Sequence, residues 1–216
     1  NVMDPFDMVD HYGAENLRYF FMREVPFGQD GSFSDEAIVN RVNADLANDL
    51  GNLAQRSLSM IAKNCGGKIP DPVEFSADDR ELLDMADALG AATQAAMAKF
   101  EIHNYLALVF EAVSEANRYF AGAEPWALKK SDPARMGTVL YCATEIVRQA
   151  ALLIQPVVPD GAAKLLDYLG VDPSHRDFSY LGADHRLVPG TELPAPSGVF
   201  PRLEAMEQAS NLPEDD

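Results

Sequence analysis

The chain has 216 residues, 47% of them hydrophobic, enough for one large domain or for one domain with an appendage. Asp and Glu number 34 against 17 Lys and Arg, a formal net charge of −17. That balance excludes a protein that grips nucleic acid through a broad basic surface: DNA is not an expected partner, and an RNA has to be held by local features or by another part of the protein.

Residues 1–33 read as a small helical appendage. Asp4-Pro5 is suited to open a short helix and Gly13 to break it, and a second helix is predicted over Ala14–Glu24 with Leu17, Phe20 and Phe21 on one face. Val25-Pro26-Phe27-Gly28-Gln29-Asp30-Gly31 is a turn-rich loop. Val2, Met3, Phe6, Met8, Val9, Leu17, Phe20, Phe21, Phe27 and Phe33 are a heavy apolar load for so short a segment. Part of it is expected to pack on the following helix and part to face a neighbour outside this chain.

Residues 34–64 hold the longest helical pattern. Ser34 suits an N-cap, and Asp35 and Glu36 lie in the first turn, where carboxylates favour the positive end of the helix dipole. Val39, Val42, Leu46, Leu50, Leu53 and Ile61 recur at close to the helical period. Such a helix would extend about 45 Å, until Cys65-Gly66-Gly67 and then Pro70 end it. Its polar face carries Asn48, Asn52 and Arg56 at four-residue steps, with Asn40 and Asn43 nearby. Asparagine prefers caps and turns, so its abundance here needs a reason. An amide beside a guanidinium offers donors and an acceptor suited to the edge of a base. A polar outer face with an interhelical hydrogen bond or two is the alternative, and this helix alone leaves both open.

Ser76-x-x-Asp79 resembles a capping box, with Asp where Glu or Gln is usual. The helix it opens carries Leu82, Leu83, Met85, Ala86, Leu89, Ala92, Ala96 and Met97 and is predicted to reach Phe100. The next, over about residues 104–120, buries Leu106, Val109, Phe110 and Val113 and ends before Glu124-Pro125-Trp126. Asp132-Pro133 opens another, with Val139, Leu140, Ala143, Ile146, Val147, Ala150 and Ile154, which Pro156 halts. Pro159 starts a short helix that ends at Leu169-Gly170. Residues 171–200 are rich in Gly, Pro, Asp and Ser and read as irregular, and the acidic end, about 206–216, is expected to fray. With no internal repeat and no strand pattern, the predicted fold is all-α: an antiparallel helical bundle with an N-terminal appendage.

Trp126, the only tryptophan, follows a proline between two helices beside Lys129 and Lys130. A lone tryptophan anchors a core or its rim; placed at a bundle end near Asn52 and Arg56, it also offers a platform for an unstacked base, which needs no positive surface. His11, His103, His175 and His185 show no metal-ligand spacing, and no nucleophile–base set or phosphate-binding loop can be assembled, so neither a catalytic nor a metal site is expected. The pairs Asp78-Asp79 and Asp215-Asp216 read as solvated charge. Cys65 and Cys142 suit a reducing compartment, and a cytoplasmic location is expected. No run approaches about 18 apolar residues and there is no signal peptide, so no membrane partner is expected.

Asn1-Val2-Met3-Asp4-Pro5-Phe6, followed by Tyr12-Gly13-Ala14-Glu15-Asn16-Leu17-Arg18-Tyr19, resembles the segment just after the K-M-S-K-S loop of class I aminoacyl-tRNA synthetases. Four further blocks narrow the resemblance to the methionyl-tRNA synthetases. They are the 25–31 loop; Asn43-Ala44-Asp45-Leu46 through Leu50-Gly51-Asn52-Leu53 to Arg56; Asn117-Arg118-Tyr119 leading to Pro125-Trp126-x-Leu128-Lys129; and Phe200-Pro201-Arg202-Leu203-Glu204. The blocks run in the family's order over nearly the whole chain.

The resemblance implies a stem-contact segment over 1–36, an anticodon-binding bundle over 37–170, and an irregular segment over 171–216 packing back on the bundle. It implies that Asn52 and Arg56 hydrogen-bond anticodon bases of tRNA(Met) and that Trp126 stacks on the anticodon. The H-I-G-H and K-M-S-K-S motifs are absent, so ATP with its Mg²⁺, and the ligation of methionine to tRNA, are expected in a catalytic domain outside this chain. That domain is the second expected partner, and the piece alone is expected to be inactive. Two other readings remain: a helical protein–protein docking module with residues 1–33 as its docking face, and the anticodon domain of a leucyl-, valyl- or cysteinyl-tRNA synthetase.

Overall fold

The computed structural model describes residues 4–31 and 33–206. Asn1, Val2 and Met3 and the acidic end from 207 onward, including Asp215-Asp216, lie outside the described residues. Helix α1 (Pro5–Tyr12) is capped by Asp4, whose carboxylate accepts from the Phe6 N–H at 2.8 Å, and stops at Gly13, whose φ of 81° suits glycine. Helix α2 (Ala14–Glu24) follows with Leu17, Tyr19 and Phe20 buried; Phe21, predicted on the same face, turns outward against Phe33.

The long stretch is a continuous helical run but not a uniform α-helix. It comprises α3 (Asp35–Val42), a π-helical segment (Asn43–Gly51) and α4 (Asn52–Asn64). The Ser34 hydroxyl accepts from the Ala37 N–H at 3.1 Å, so the predicted N-cap is made. Wider winding over 43–51 coincides with demands on both sides of it. The Asp45 carboxylate is buried beneath α2, accepting from the Tyr19 hydroxyl at 2.5 Å, with Arg41 at 3.3 Å and Arg23 at 3.6 Å. On the other side, Asn43 and Asn48 hold the Arg202-Leu203 segment.

Helices α5 (Ala77–Met97), α6 (Ile102–Ala123), α7 (Pro125–Ser131), α8 (Pro133–Ile154) and α9 (Pro159–Tyr168) complete the bundle. Short connections reverse the chain, as in up-and-down bundles. Among the described residues there is no strand, only one antiparallel bridge between Lys68 and Glu192, so the all-α class holds. The capping box at Ser76 and Asp79 is made in both directions, and Asp132 caps α8 by accepting from the Arg135 N–H at 3.0 Å. Helix α8 sits at the centre, buried continuously over 136–154 and in contact with α4, α5, α6, α7 and α9. In length and composition alone it is apolar enough to cross a membrane, but its burial over 136–154 marks it as the bundle's core helix.

One hydrophobic core runs from Met8, Tyr12 and Leu17 of the appendage through α8 to Leu187. The appendage is also tied down by polar bonds: the Glu15 carboxylate accepts from the N–H groups of Asp160 (2.5 Å) and Gly161 (3.2 Å), capping α9 from a distant helix.

The segment after α9 is irregular, as expected, but closely held. It forms three 3₁₀ turns (Pro173–His175, Phe178–Tyr180, Ala183–His185). The buried Glu145–Arg148 pair of α8 bonds to its backbone, Arg148 donating to the Tyr180 carbonyl at 2.6 Å and Glu145 accepting from the Leu187 N–H at 3.1 Å. Buried ions need such complete satisfaction. Further on, Asn43 makes a two-way pairing with the Leu203 backbone (2.9 and 2.7 Å), Arg202 donates to Asn48 at 2.7 Å, and His11 Nε2 lies 2.9 Å from the Glu204 carbonyl. The Phe200 ring lies against Gly161, where a Cβ would stand 2.8 Å from Cζ and closer to Cε1, so any larger residue there would displace the ring.

Candidate nucleic-acid interface

The corner between α6 and α7 is built from backbone geometry first. Helix α6 ends at Ala123, and Glu124 adopts φ 46° and ψ 56°, the left-handed region that a residue with a Cβ seldom occupies. That single residue redirects the chain, and the buried Pro125 starts α7 at once with its fixed φ. Trp126 thereby lies in the first turn of α7, close to the last turn of α6. Helix α7 was not predicted, since seven residues are too few for a helical period to be read.

Trp126 is 45% exposed, with its ring centroid 6.2 Å from that of Phe120 at 49°. Phe120, on the last turn of α6, is 1% exposed. Arg56 of α4 reaches the same ring from another direction, its Cζ 4.6 Å from the centroid, within cation–π range. The guanidinium and the indole thus meet a common buried ring while remaining open to solvent. Asn52 is exposed one turn before Arg56 on α4, and its amide has no hydrogen-bond partner among the described residues. Asn48, expected to continue that row, is instead engaged with Arg202, and Asn43 with Leu203.

Beneath this corner lies a polar clamp. Asp79, expected as solvated charge, is fully buried. It accepts from the Tyr119 hydroxyl at 2.5 Å, from Arg135 at 2.8 Å and again through the second guanidinium nitrogen, and from the Ser76 N–H at 2.9 Å. Burial works to raise its pKa, but the hydrogen bonds from Arg135, Tyr119 and Ser76 outweigh it and hold the carboxyl below the usual range. Hydrogen bonding to Asp79 raises the Arg135 guanidinium further, and burial pushes the Tyr119 phenol well above its ordinary value. The clamp joins the starts of α5 and α8 to the end of α6, at the residue next to Phe120.

Electrostatics single out Arg56. Among the described residues every other arginine donates to, or pairs with, a protein oxygen: Arg18, Arg23, Arg41, Arg80, Arg118, Arg135, Arg148, Arg176, Arg186 and Arg202. Arg56 alone makes no such bond. Lys129 and Lys130, exposed on α7, likewise have no carboxylate partner among the described residues. In a strongly acidic chain the uncommitted cations therefore include those beside the half-exposed indole. No group of three or more His, Cys, Asp or Glu among the described residues is placed to hold a metal ion.

Comparison with known proteins is consistent along the chain. A family model described as "tRNA synthetases class I (M)" matches residues 1–58, and one described as "Anticodon binding domain of methionyl tRNA ligase" matches residues 69–212. The chain belongs to the anticodon-binding domain family of methionyl-tRNA ligases. Relatives of this domain include the methionine–tRNA ligases of Mesorhizobium japonicum, 61% identical over 202 residues (94% of this chain and 39% of the relative), and of Brucella suis, 60% identical over 209 residues (96% and 40%). The crystal structure of the apo form of Mycobacterium tuberculosis methionyl-tRNA synthetase superposes on this anticodon-binding domain with a TM-score of 0.91 at 50% identity. The match covers 95% of this chain and 42% of that one. The chain thus spans about two fifths of the length of the curated relatives it matches.

Proposed function

We propose that this domain reads the anticodon of tRNA(Met) with Asn52, Arg56 and Trp126, as part of a longer enzyme that ligates methionine to that tRNA at the expense of ATP. The observation that carries the reading is an arginine whose donors meet no oxygen among the described residues and a half-exposed tryptophan, both against the buried Phe120 ring. Trp126 supplies a face for one unstacked base, and Arg56 and Asn52 supply donors and an acceptor for base edges. Lys129 and Lys130 give the local positive charge that the rest of the surface withholds. Trp126 is half exposed rather than sealed in the core, so its face is open to a base.

The catalytic portion of the same enzyme is the second partner in this reading. Phe6, Phe21, Phe27 and Phe33 of the appendage are exposed and offer it an apolar face. ATP and Mg²⁺ belong to that portion. A cytoplasmic location belongs to the same reading, in keeping with the free thiols of Cys65 and Cys142.

Asn52→Ala in the full-length protein tests the base-reading role most selectively, because Asn52 is exposed and its side chain bonds to none of the described residues. Losing a hydrogen bond to a base costs about 1 kcal/mol. Preference for tRNA(Met) over a tRNA with an altered anticodon should therefore fall about fivefold, with thermal stability unchanged. An undiminished preference removes Asn52 from the site.

A further inference from the structure

Phe120 does more than fill the core at the end of α6. Among the described residues Arg56 has no hydrogen bond and no ion pair to fix it; its guanidinium lies over the face of Phe120, with Cζ 4.6 Å from the ring centroid. Trp126 abuts the same ring at 6.2 Å. The ring is fully buried and stands next to Tyr119, whose hydroxyl is clamped on Asp79 at 2.5 Å, so it is a rigid reference between two otherwise uncommitted side chains. A long guanidinium side chain free in solvent samples many rotamers, and ordering it costs binding free energy each time it engages a ligand. Resting the guanidinium on an aromatic face removes part of that cost in advance while leaving its in-plane N–H donors free.

We propose that Phe120 is a positioning residue for anticodon reading: its face holds the Arg56 guanidinium, and its ring sets the spacing between that group and Trp126. The inference rests on the assignment of Arg56 and Trp126 to the anticodon. Phe120 touches no RNA and acts only through those two residues.

The test compares three proteins in the full-length enzyme: Arg56→Ala, Phe120→Leu, and a form in which pentafluorophenylalanine replaces Phe120. The last keeps the ring and its packing but reverses the charge of its face, so it covers the case in which the leucine variant folds poorly. Each is measured for aminoacylation kinetics on tRNA(Met), for preference over an anticodon-altered tRNA, and for methionine-dependent ATP–pyrophosphate exchange. Expected for both Phe120 forms is an increase of about tenfold in KM for tRNA and a matching loss of preference, with kcat and pyrophosphate exchange near normal. Adding Arg56→Ala to the fluorinated form should then cost less than Arg56→Ala alone, because the ring acts through that guanidinium.

If Arg56→Ala lowers the preference while the fluorinated ring leaves KM and preference intact, the positioning role is overturned and the reading of Arg56 stands. If Arg56→Ala itself has no effect, the reading fails and the inference fails with it.

Discussion

Replacing Arg56 and Trp126 together with alanine in the full-length protein is expected to lower kcat/KM for charging tRNA(Met) about 30-fold to 10³-fold, while methionine-dependent ATP–pyrophosphate exchange stays within about twofold of normal. Base stacking on an aromatic side chain contributes about 1–3 kcal/mol, and a good bidentate base contact about 1–3 kcal/mol of discrimination. Both side chains lean on Phe120, so their losses should fall short of simple addition, to a total of about 2–4 kcal/mol. Neither holds the fold together: Trp126 is 45% exposed, and Arg56 bonds to no other described residue. The melting temperature should therefore shift little. Trp126→Phe keeps a flat face and should retain most of the charging rate that Trp126→Ala loses. Equal loss of exchange and charging would mean that the variants damage the protein at large.

Asp79→Asn is expected to be the most destabilising single change near the site, by about 3–5 kcal/mol at neutral pH. Removing one partner of a buried, hydrogen-bonded ion pair leaves the other uncompensated, and Arg135 would lose its carboxylate while the Tyr119 hydroxyl would lose a charged acceptor. The pH dependence has a definite sign. The Asp79 carboxyl is held below its ordinary range in the folded protein, so its contribution to stability is fully present above the unfolded value of about 3.9 and is lost as pH falls through the lower folded value. Urea unfolding should accordingly show a large gap between wild type and Asp79→Asn at pH 7 that narrows steadily below about pH 4. A gap that stays constant into acid would mean that the carboxylate's charge is not what stabilises the corner. Because the clamp ends next to Phe120, the same variant should also weaken charging.

Much of the fold is written locally and could be read that way. Ser34, Ser76 with Asp79, and Asp132-Pro133 each announce a helix start by an oxygen that accepts a nearby N–H, and all three caps are made. Gly13 and the Gly66-Gly67 pair mark stops, each with the positive φ that glycine tolerates. What escaped the sequence depends on partners far along the chain. The π-helical winding of 43–51 goes with Tyr19 on one side and with Leu203 and Arg202 on the other, and no local pattern encodes those meetings. The asparagines read as one polar row divide for the same reason: Asn43 and Asn48 engage Leu203 and Arg202, and Asn52 bonds to none of the described residues. Asp79 was legible as a cap but not as the centre of a clamp, because Tyr119 and Arg135 reach it from other helices.

The candidate site shows the same division. Arg56 and Trp126 are conspicuous by chemistry and by family likeness, yet lie 70 residues apart in number, and only the fold brings both to one ring. Phe120 carries no sequence signal of that role; among so many aromatic and aliphatic residues it reads as core, which it also is. The exposed pairing of Phe27 with Phe100, stacked at 5.8 Å between the appendage loop and the α5–α6 turn, was likewise invisible to periodicity.

Trp126 is the only tryptophan in these 216 residues, so its emission reports on the proposed stacking without interference. The most direct test titrates this chain at low salt with a hairpin RNA carrying the methionine anticodon, and with hairpins altered in that loop alone. Quenching that saturates with the methionine anticodon, and is largely lost with the altered loops, is the predicted result. Emission that is unchanged at saturating RNA, or quenched equally by every loop, would contradict the placing of an anticodon base on this indole.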